Sequence, residues 1–282
     1  MRLSIDLDSI IKKFGVFESL KLVKEAGFDG VDMPCYMEDI FLGENYIEHA
    51  QKVREYLDDL GLSCIQAHSP LGLKYETKFF ESDPKYLATI KAIECASILG
   101  AKYIVVHAIG VPDNVDVYEH NRIFYNSLIP YCKKFNIKIG VENLAVYKGS
   151  GNPWGERLGL PNNFSKFIKS LDKRYFGGCV DLGHAALTYG LAEDFIRDTD
   201  EGVIDLLHVQ ECDFVRDLHT IPFSGGFNWV GILKNLKDKG YNGDFSFEIF
   251  KYLSWFPNEL IPEALRLAEK IGRYLIKQFE NV

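Results

Sequence analysis

The chain is poor in cysteine, methionine and tryptophan, with 6, 3 and 3 of them among 282 residues. The cysteines (35, 64, 95, 132, 179 and 212) form no Cys-x-x-Cys pair and follow no pairing rhythm, which excludes a disulfide framework. Cys64 and Cys179 lie inside apolar runs and read as reduced, buried, inert thiols. Positive charge is not in excess. Against 40 Asp and Glu stand 32 Lys and Arg, a formal net charge of −8. That balance argues against a protein that coats nucleic acid or an anionic membrane, although a local basic patch can sit on an acidic protein. No apolar stretch approaches the roughly 18 residues of a membrane helix, and the N-terminal Met-Arg-Leu-Ser-Ile-Asp-Leu-Asp has no signal-peptide core. The expectation is a cytoplasmic protein without a membrane partner. No Pro/Gly/Ser linker or low-complexity stretch divides the chain.

What is present is alternation. Residues are 47% hydrophobic and 13% aromatic, enough for a large packed core. Short β-type runs at 3–6, 30–35, 63–68, 103–108, 138–143, 178–182, 205–211 and 244–249 alternate with amphipathic helical patterns. The helices are expected at 19–26, 48–60, 84–99, 117–135, 164–171, 192–198, 229–239 and 259–279. Several end at a glycine suited to a helix C-cap (Gly27, Gly61, Gly100, Gly240). Eight strand–helix units in one chain point to an α/β fold, a (β/α)8 TIM barrel, as one domain spanning 1–282. A doubly wound open sheet would favour a Gly-rich phosphate turn after its first strand, and residues 3–17 contain none.

Side chains alternate faces along a strand, so parity separates a helix-facing from a barrel-facing set. Ile139 and Val141 oppose Glu142, Val180 and Leu182 oppose Asp181, Leu207 and Val209 oppose His208 and Gln210, and Phe247 and Ile249 oppose Glu248. The same parity turns Gln66, His68 and His107 inward. The last polar residue before each loop would then stand at the C-terminal mouth, where such barrels place their chemistry. The candidate ligands are Glu142, Asp181, Gln210 and Glu248, with His68, His107, His184 and His219 around them. Five of the seven histidines (68, 107, 184, 208 and 219) fall at or just beyond strand ends. Three carboxylates converging in a low-dielectric pocket repel one another, and a divalent cation is the simplest offset. Three carboxylates with an amide or imidazole suit Mn²⁺, Mg²⁺, Co²⁺ or Zn²⁺. Each residue taken singly has a structural explanation, such as a hydrogen-bonded core histidine or a glutamate paired with a base. Asp6 and Asp32 also point inward, to serve a polar ligand or the structure alone. His208 lies one layer below Gln210, as core or support. His49 and His120 read as surface residues.

The segments Gln-Ala-His68-Ser-Pro, Val-Val-His107-Ala, Gly-Val-Glu142-Asn143, Val-Asp181-Leu-Gly-His184-Ala, Leu-His208-Val-Gln210-Glu-Cys-Asp213, Arg216-Asp217-Leu-His219 and Phe-Ser-Phe-Glu248 resemble the xylose-isomerase-like TIM-barrel superfamily along essentially the whole chain. The superfamily includes sugar isomerases and epimerases, inosose dehydratases and endonuclease IV. The epimerase and isomerase branch implies one divalent cation on Glu142, Asp181, Gln210 and Glu248, where Gln210 departs from the branch's histidine. It implies that His184 and Arg216, with His68, His107 and His219, contact the substrate. The endonuclease IV branch implies three zinc ions, to whose ligands His68, His107, Glu142, Asp181, His184, Asp217, His219 and Glu248 are similar, with Gln210 at the exception. The stretch Asn-Leu-Ala-Val-Tyr-Lys after Glu142 departs from that branch's Thr-Ala-Gly.

The favoured expectation is a metal-dependent sugar isomerase or epimerase, acting on a sugar, sugar phosphate or polyol through a cis-enediolate. Glu142 and Glu248 would be the acid/base pair. The alternatives are a zinc-dependent abasic-site endonuclease and a metal-free or non-catalytic sugar-binding protein. A homo-oligomer is compatible with all three. Lys148 or Arg157 could bind a phosphate or carboxylate. The loops 147–161 and 255–257 could overhang the mouth with Trp154, Trp255 and Phe256, or form a dimer contact.

Overall fold

The computed structural model describes residues 1–71, 82–110, 116–145 and 158–282. Eight parallel strands close into a barrel in sequence order. They are β1 (Leu3–Asp6), β2 (Gly30–Pro34), β3 (Ser63–His68), β4 (Tyr103–Val105), β5 (Lys138–Glu142), β6 (Phe176–Asp181), β7 (Ile204–Val209) and β8 (Phe245–Phe247). Outside them lie α1 (Asp8–Phe14), α2 (Val16–Ala26), α3 (Tyr46–Leu60), α4 (Pro84–Ile98), α5 (Val117–Phe135), α6 (Pro161–Ser170), α7 (Leu182–Tyr189), α8 (Ala192–Asp198), α9 (Trp229–Asp238), α10 (Phe250–Ser254) and α11 (Ile261–Asn281). This is the TIM barrel expected from the alternation.

The main core lies between strands and helices. Ile5, Val31, Ala67, Ile104, Ile139, Val141, Val180, Leu207, Val209 and Phe247 are all completely buried there. A second, smaller cluster of Val105, Cys179 and Leu206, with Tyr103 against it, fills the barrel interior one inward step below His107, Asp181 and His208. Gly140 belongs to that floor. A Cβ on it would stand 2.7 Å from Leu206 Cδ1, so only glycine leaves room for the leucine. Cys64 and Cys179 are buried free thiols, as are the other four cysteines.

Three short helices were not expected from the sequence. The helices α1, α7 and α10 follow β1, β6 and β8 almost without a loop. In α7 the strand-end Asp181 is itself the N-cap and accepts from the His184 backbone N–H at 2.6 Å. A residue that looks like the last of a strand can therefore start a helix. Strands four, seven and eight are shorter than expected, and His107, Gln210 and Glu248 project from the extended chain just beyond them. There the backbone leaves the ladder to build the mouth. Even so, Glu248 N still donates to Val209 O at 3.2 Å.

Candidate metal centre at the barrel mouth

Four side chains from four neighbouring strand ends meet at the mouth. Each of Glu142, Asp181, His208 and Glu248 offers a ligand atom within 4.8 Å of the others. His208 Nδ1 lies 3.3 Å from Glu248 Oε2 and 3.6 Å from Glu142 Oε1. On one side His68, His107 and Glu142 form a second convergent group, and on the other His184, Asp217 and His219 form a third. The loop after β7 brings in Asp217 and His219. His219 Nε2 is 2.9 Å from Asp217 Oδ2, and His184 Nε2 is 3.6 Å from the same oxygen.

Supporting contacts aim these rings. His68 Nδ1 lies 2.9 Å from Asp32 Oδ1, and Gln66 Nε2 donates 2.6 Å to the other Asp32 oxygen. That arrangement leaves His68 Nε2 for the centre, where it sits buried without a hydrogen-bond partner. His184 Nδ1 donates to the Asn143 carbonyl at 3.1 Å, which turns its Nε2 toward Asp217. Asn143 also accepts from Asp181 N at 2.6 Å and donates to Asp181 O at 3.0 Å, so the Glu142–Asn143 pair locks two strand ends together. Phe250 stacks on His219 with ring centroids 4.2 Å apart, and His68 stacks on His208 at 4.7 Å.

The electrostatics call for positive charge. Burial pushes the Glu248 carboxyl well above its ordinary range, and Glu142, Asp181 and Asp6 push it further. Burial would also raise Glu142, but His107 and His208 hold it well below. Burial opposes charging His68, yet Asp32 lifts it to about 9. His184 is likewise raised well above its usual value against the pull of burial, by Asp181, Asp217 and Glu142. Asp6 is pushed up to about 8 by burial and by Asp32. His107 Nε2 and His184 Nδ1 approach the Glu142 oxygens at 2.8 and 2.9 Å, but neither oxygen receives a well-directed hydrogen bond. Asp181 Oδ2, Glu248 Oε2 and both His208 nitrogens are also buried without partners. Buried polar atoms that share one focus and lack partners fit a cation. The O, O, N, O donor set suits a hard or borderline divalent ion, and the two flanking N, N, O groups suit zinc.

Gln210 is buried beside this cluster. Its amide nitrogen donates to Asp181 Oδ1 at 2.9 Å and to Asp217 Oδ1 at 3.3 Å, while its Oε1 has no hydrogen-bond partner. The imidazole at the centre comes from His208, which parity had left between core and support. Strand tilt explains the difference. In register, Asp181 lies opposite His208, and His208 opposite Ser246, so levels climb around the barrel and the last inward residue is not always the central one. The pairing of buried Asp32 with His68 was another signal, visible only as two inward residues on adjacent strands. Arg216 is largely exposed and grips Asp213 at 2.6 and 2.8 Å rather than a member of the cluster. His49 is exposed, whereas His120 is half-buried on α5. Trp255 is exposed, and Phe256 packs on Tyr252. Lys148, Trp154 and Arg157 lie outside the described residues.

Fold and site together define a (β/α)8 protein with a candidate divalent-cation centre at its mouth. The chain belongs to the xylose isomerase-like TIM barrel family, whose model matches residues 20–271. Among curated proteins it is 27% identical over 271 residues to protein MJ1311 of Methanocaldococcus jannaschii, covering 84% of this chain and 87% of that one. Among solved structures it resembles a D-tagatose 3-epimerase-like protein, with a TM-score of 0.73, 19% identity and 100% and 99% of the two chains covered. It also resembles the IolI protein with a bound zinc atom, with a TM-score of 0.74, 16% identity and 99% of each chain covered. At these identities the structural likeness establishes the fold.

Proposed function

We propose that the protein is a divalent-cation-dependent isomerase or epimerase of a sugar or sugar phosphate. The observation that carries this reading is the convergence of Glu142 and Glu248, from the ends of β5 and β8, on one nitrogen of His208, Nδ1. The likeness to sugar epimerase structures and to zinc-bearing IolI supports it. Glu142, Asp181, His208 and Glu248 would hold the cation, and Gln210, expected from parity as a donor, would brace Asp181. When bound, the cation would polarise the substrate carbonyl and stabilise negative charge as it develops.

The chain's own residues then do the proton work. One glutamate takes the proton from the carbon beside the carbonyl, and the C–H electron pair moves into the enediolate. The other glutamate returns a proton. Return to the opposite face of the same carbon gives the epimer, and return to the neighbouring carbon gives the aldose–ketose isomer. His68, His107, His184 and His219 line the mouth and can hydrogen-bond substrate hydroxyls. The test is proton exchange from solvent D₂O into a panel of ketoses and aldoses. Glu142→Gln and Glu248→Gln should each lower kcat by about 10²–10⁴ with the fold intact. Full activity in either variant would sink the acid/base assignment.

One observation favours a second reading. Two of the three adjacent ligand groups share Glu142, the third is His184, Asp217 and His219, and together they could hold three zinc ions for phosphodiester cleavage. Incision of an abasic-site duplex in the presence of zinc, with about three zinc ions per chain, would replace the isomerase reading. A single cation and no incision would exclude the nuclease.

A further inference from the structure

The loop from Gln210 to Asn228 delivers Asp217 and His219 to the mouth, yet its backbone is strained. Phe214, His219 and Phe223 have φ values of 62°, 40° and 74°, and they are three of the four non-glycine residues with positive φ among the described residues. Side chains hold that conformation only where the surroundings over-determine it. The loop is also drawn tight against its own start. A Cβ on Gly225 would stand 2.1 Å from the Cys212 carbonyl oxygen.

Glu211, at the root of this loop, is completely buried. Its backbone forms a two-way bridge with Thr220, at 2.9 and 3.1 Å. Its Oε1 accepts from Phe223 N at 2.6 Å and from the Trp229 indole N–H at 2.5 Å, and its Oε2 accepts from Gly225 N. All three donors lie on the far limb of the loop or on the first residue of α9, and all are backbone or indole N–H groups rather than a cationic side chain. Such a carboxylate is a latch that ties the returning limb to the end of β7.

We infer that Glu211 is a positioning residue. It holds the strained loop so that Asp217 and His219 meet His184, and it thereby builds the outer group of the centre. The inference deepens the proposed function and rests on that reading for the part His184 and His219 take toward substrate, while zinc serves as the probe of how the outer group is assembled.

The experiment compares wild type with Glu211→Gln by backbone hydrogen exchange, by the Trp229 indole N–H resonance and by calorimetric titration with zinc. The glutamine sets an NH₂ against N–H donors. Exchange across 213–228 should accelerate at least about tenfold, the indole resonance should move, and zinc affinity at the outer group should fall about 10–100-fold. Asp217→Asn should lower zinc affinity without loosening the loop, which separates loss of a ligand from loss of its position. If Glu211→Gln does not fold, Trp229→Phe removes one donor and should give a smaller change in the same direction. Wild-type exchange and zinc affinity in these variants would overturn the inference. Absence of zinc from the outer group of the wild type would count against its role as a cation site, while the exchange comparison would still decide whether Glu211 holds the loop.

Discussion

The two ends of the barrel solve opposite problems. On the floor beneath the mouth the interior is filled by Val105, Cys179, Leu206 and Tyr103, with Gly140 making room. At the N-terminal rim, just before β1, β2 and β8, charged groups are matched. Arg2 pairs with Asp244, and Arg273 pairs with Asp29, whose carboxylate also accepts from Leu3 N. At the C-terminal mouth the interior is carboxylate and imidazole, and buried atoms of Glu142, Asp181, His208 and Glu248 have no partner. The rim accounts for its charged groups within the chain. The mouth leaves them for something else to satisfy. The barrel thus separates its apolar filling from its partnerless polar atoms by position, and the mouth side chains are aimed by neighbours such as Asp32 and Asn143.

The largest expected effects test the mouth. His208→Ala should abolish tight binding of Mn²⁺, Co²⁺ or Zn²⁺ at the central group. Gln210→Ala should only weaken it, by about 10–100-fold, because the amide braces Asp181. Calorimetric titration reads both. Equal losses would make Gln210 a ligand in its own right. Full binding without His208 would move the centre elsewhere.

The floor should respond in stability instead. Leu206→Ala removes the main apolar filler beneath Gly140 and should cost roughly 2–5 kcal/mol in denaturant unfolding. KM measured on the folded fraction should stay unchanged. A change in KM would mean that the two ends are mechanically linked and the separation fails.

Much of this contrast was legible in the sequence. Alternation gave all eight strands, and parity placed Glu142, Asp181 and His68 inside the barrel. Parity has a period of two and carries no information about shear, so it could not tell that His208, rather than the later Gln210, sits level with Asp181. The short helices α1, α7 and α10 escaped because each starts at a strand end, where capping and strand ending share residues such as Asp181. Glu211 carried no signal either. Its importance comes from N–H groups 12 to 18 residues away, and only the folded loop brings them together.

The smallest effect, and the one that best sharpens the contrast, concerns pH. Burial would raise the Asp29 carboxyl, but its hydrogen bonds from Arg273 and Leu3 N hold it below the usual carboxylate range. A depressed folded-state value stabilises the fold above the unfolded pKa of about 3.9, and that gain is lost as pH falls through the folded value. Both partners are more than a third exposed, so Arg273→Ala should cost only about 0.2–1 kcal/mol at pH 7. That deficit should close below about pH 4. Glu248 has the opposite sign. Its folded value is raised, so in cation-free protein the folded state is penalised increasingly as pH climbs above the unfolded value of about 4.3. Cation-free Glu248→Gln should therefore gain on wild type as pH rises above about 4.3, where the Arg273→Ala deficit is already constant. Thermal midpoints of the three proteins from about pH 2 to pH 8 would show both windows. Parallel pH trends in the two variants would mean that the mouth, like the rim, already balances its own charge.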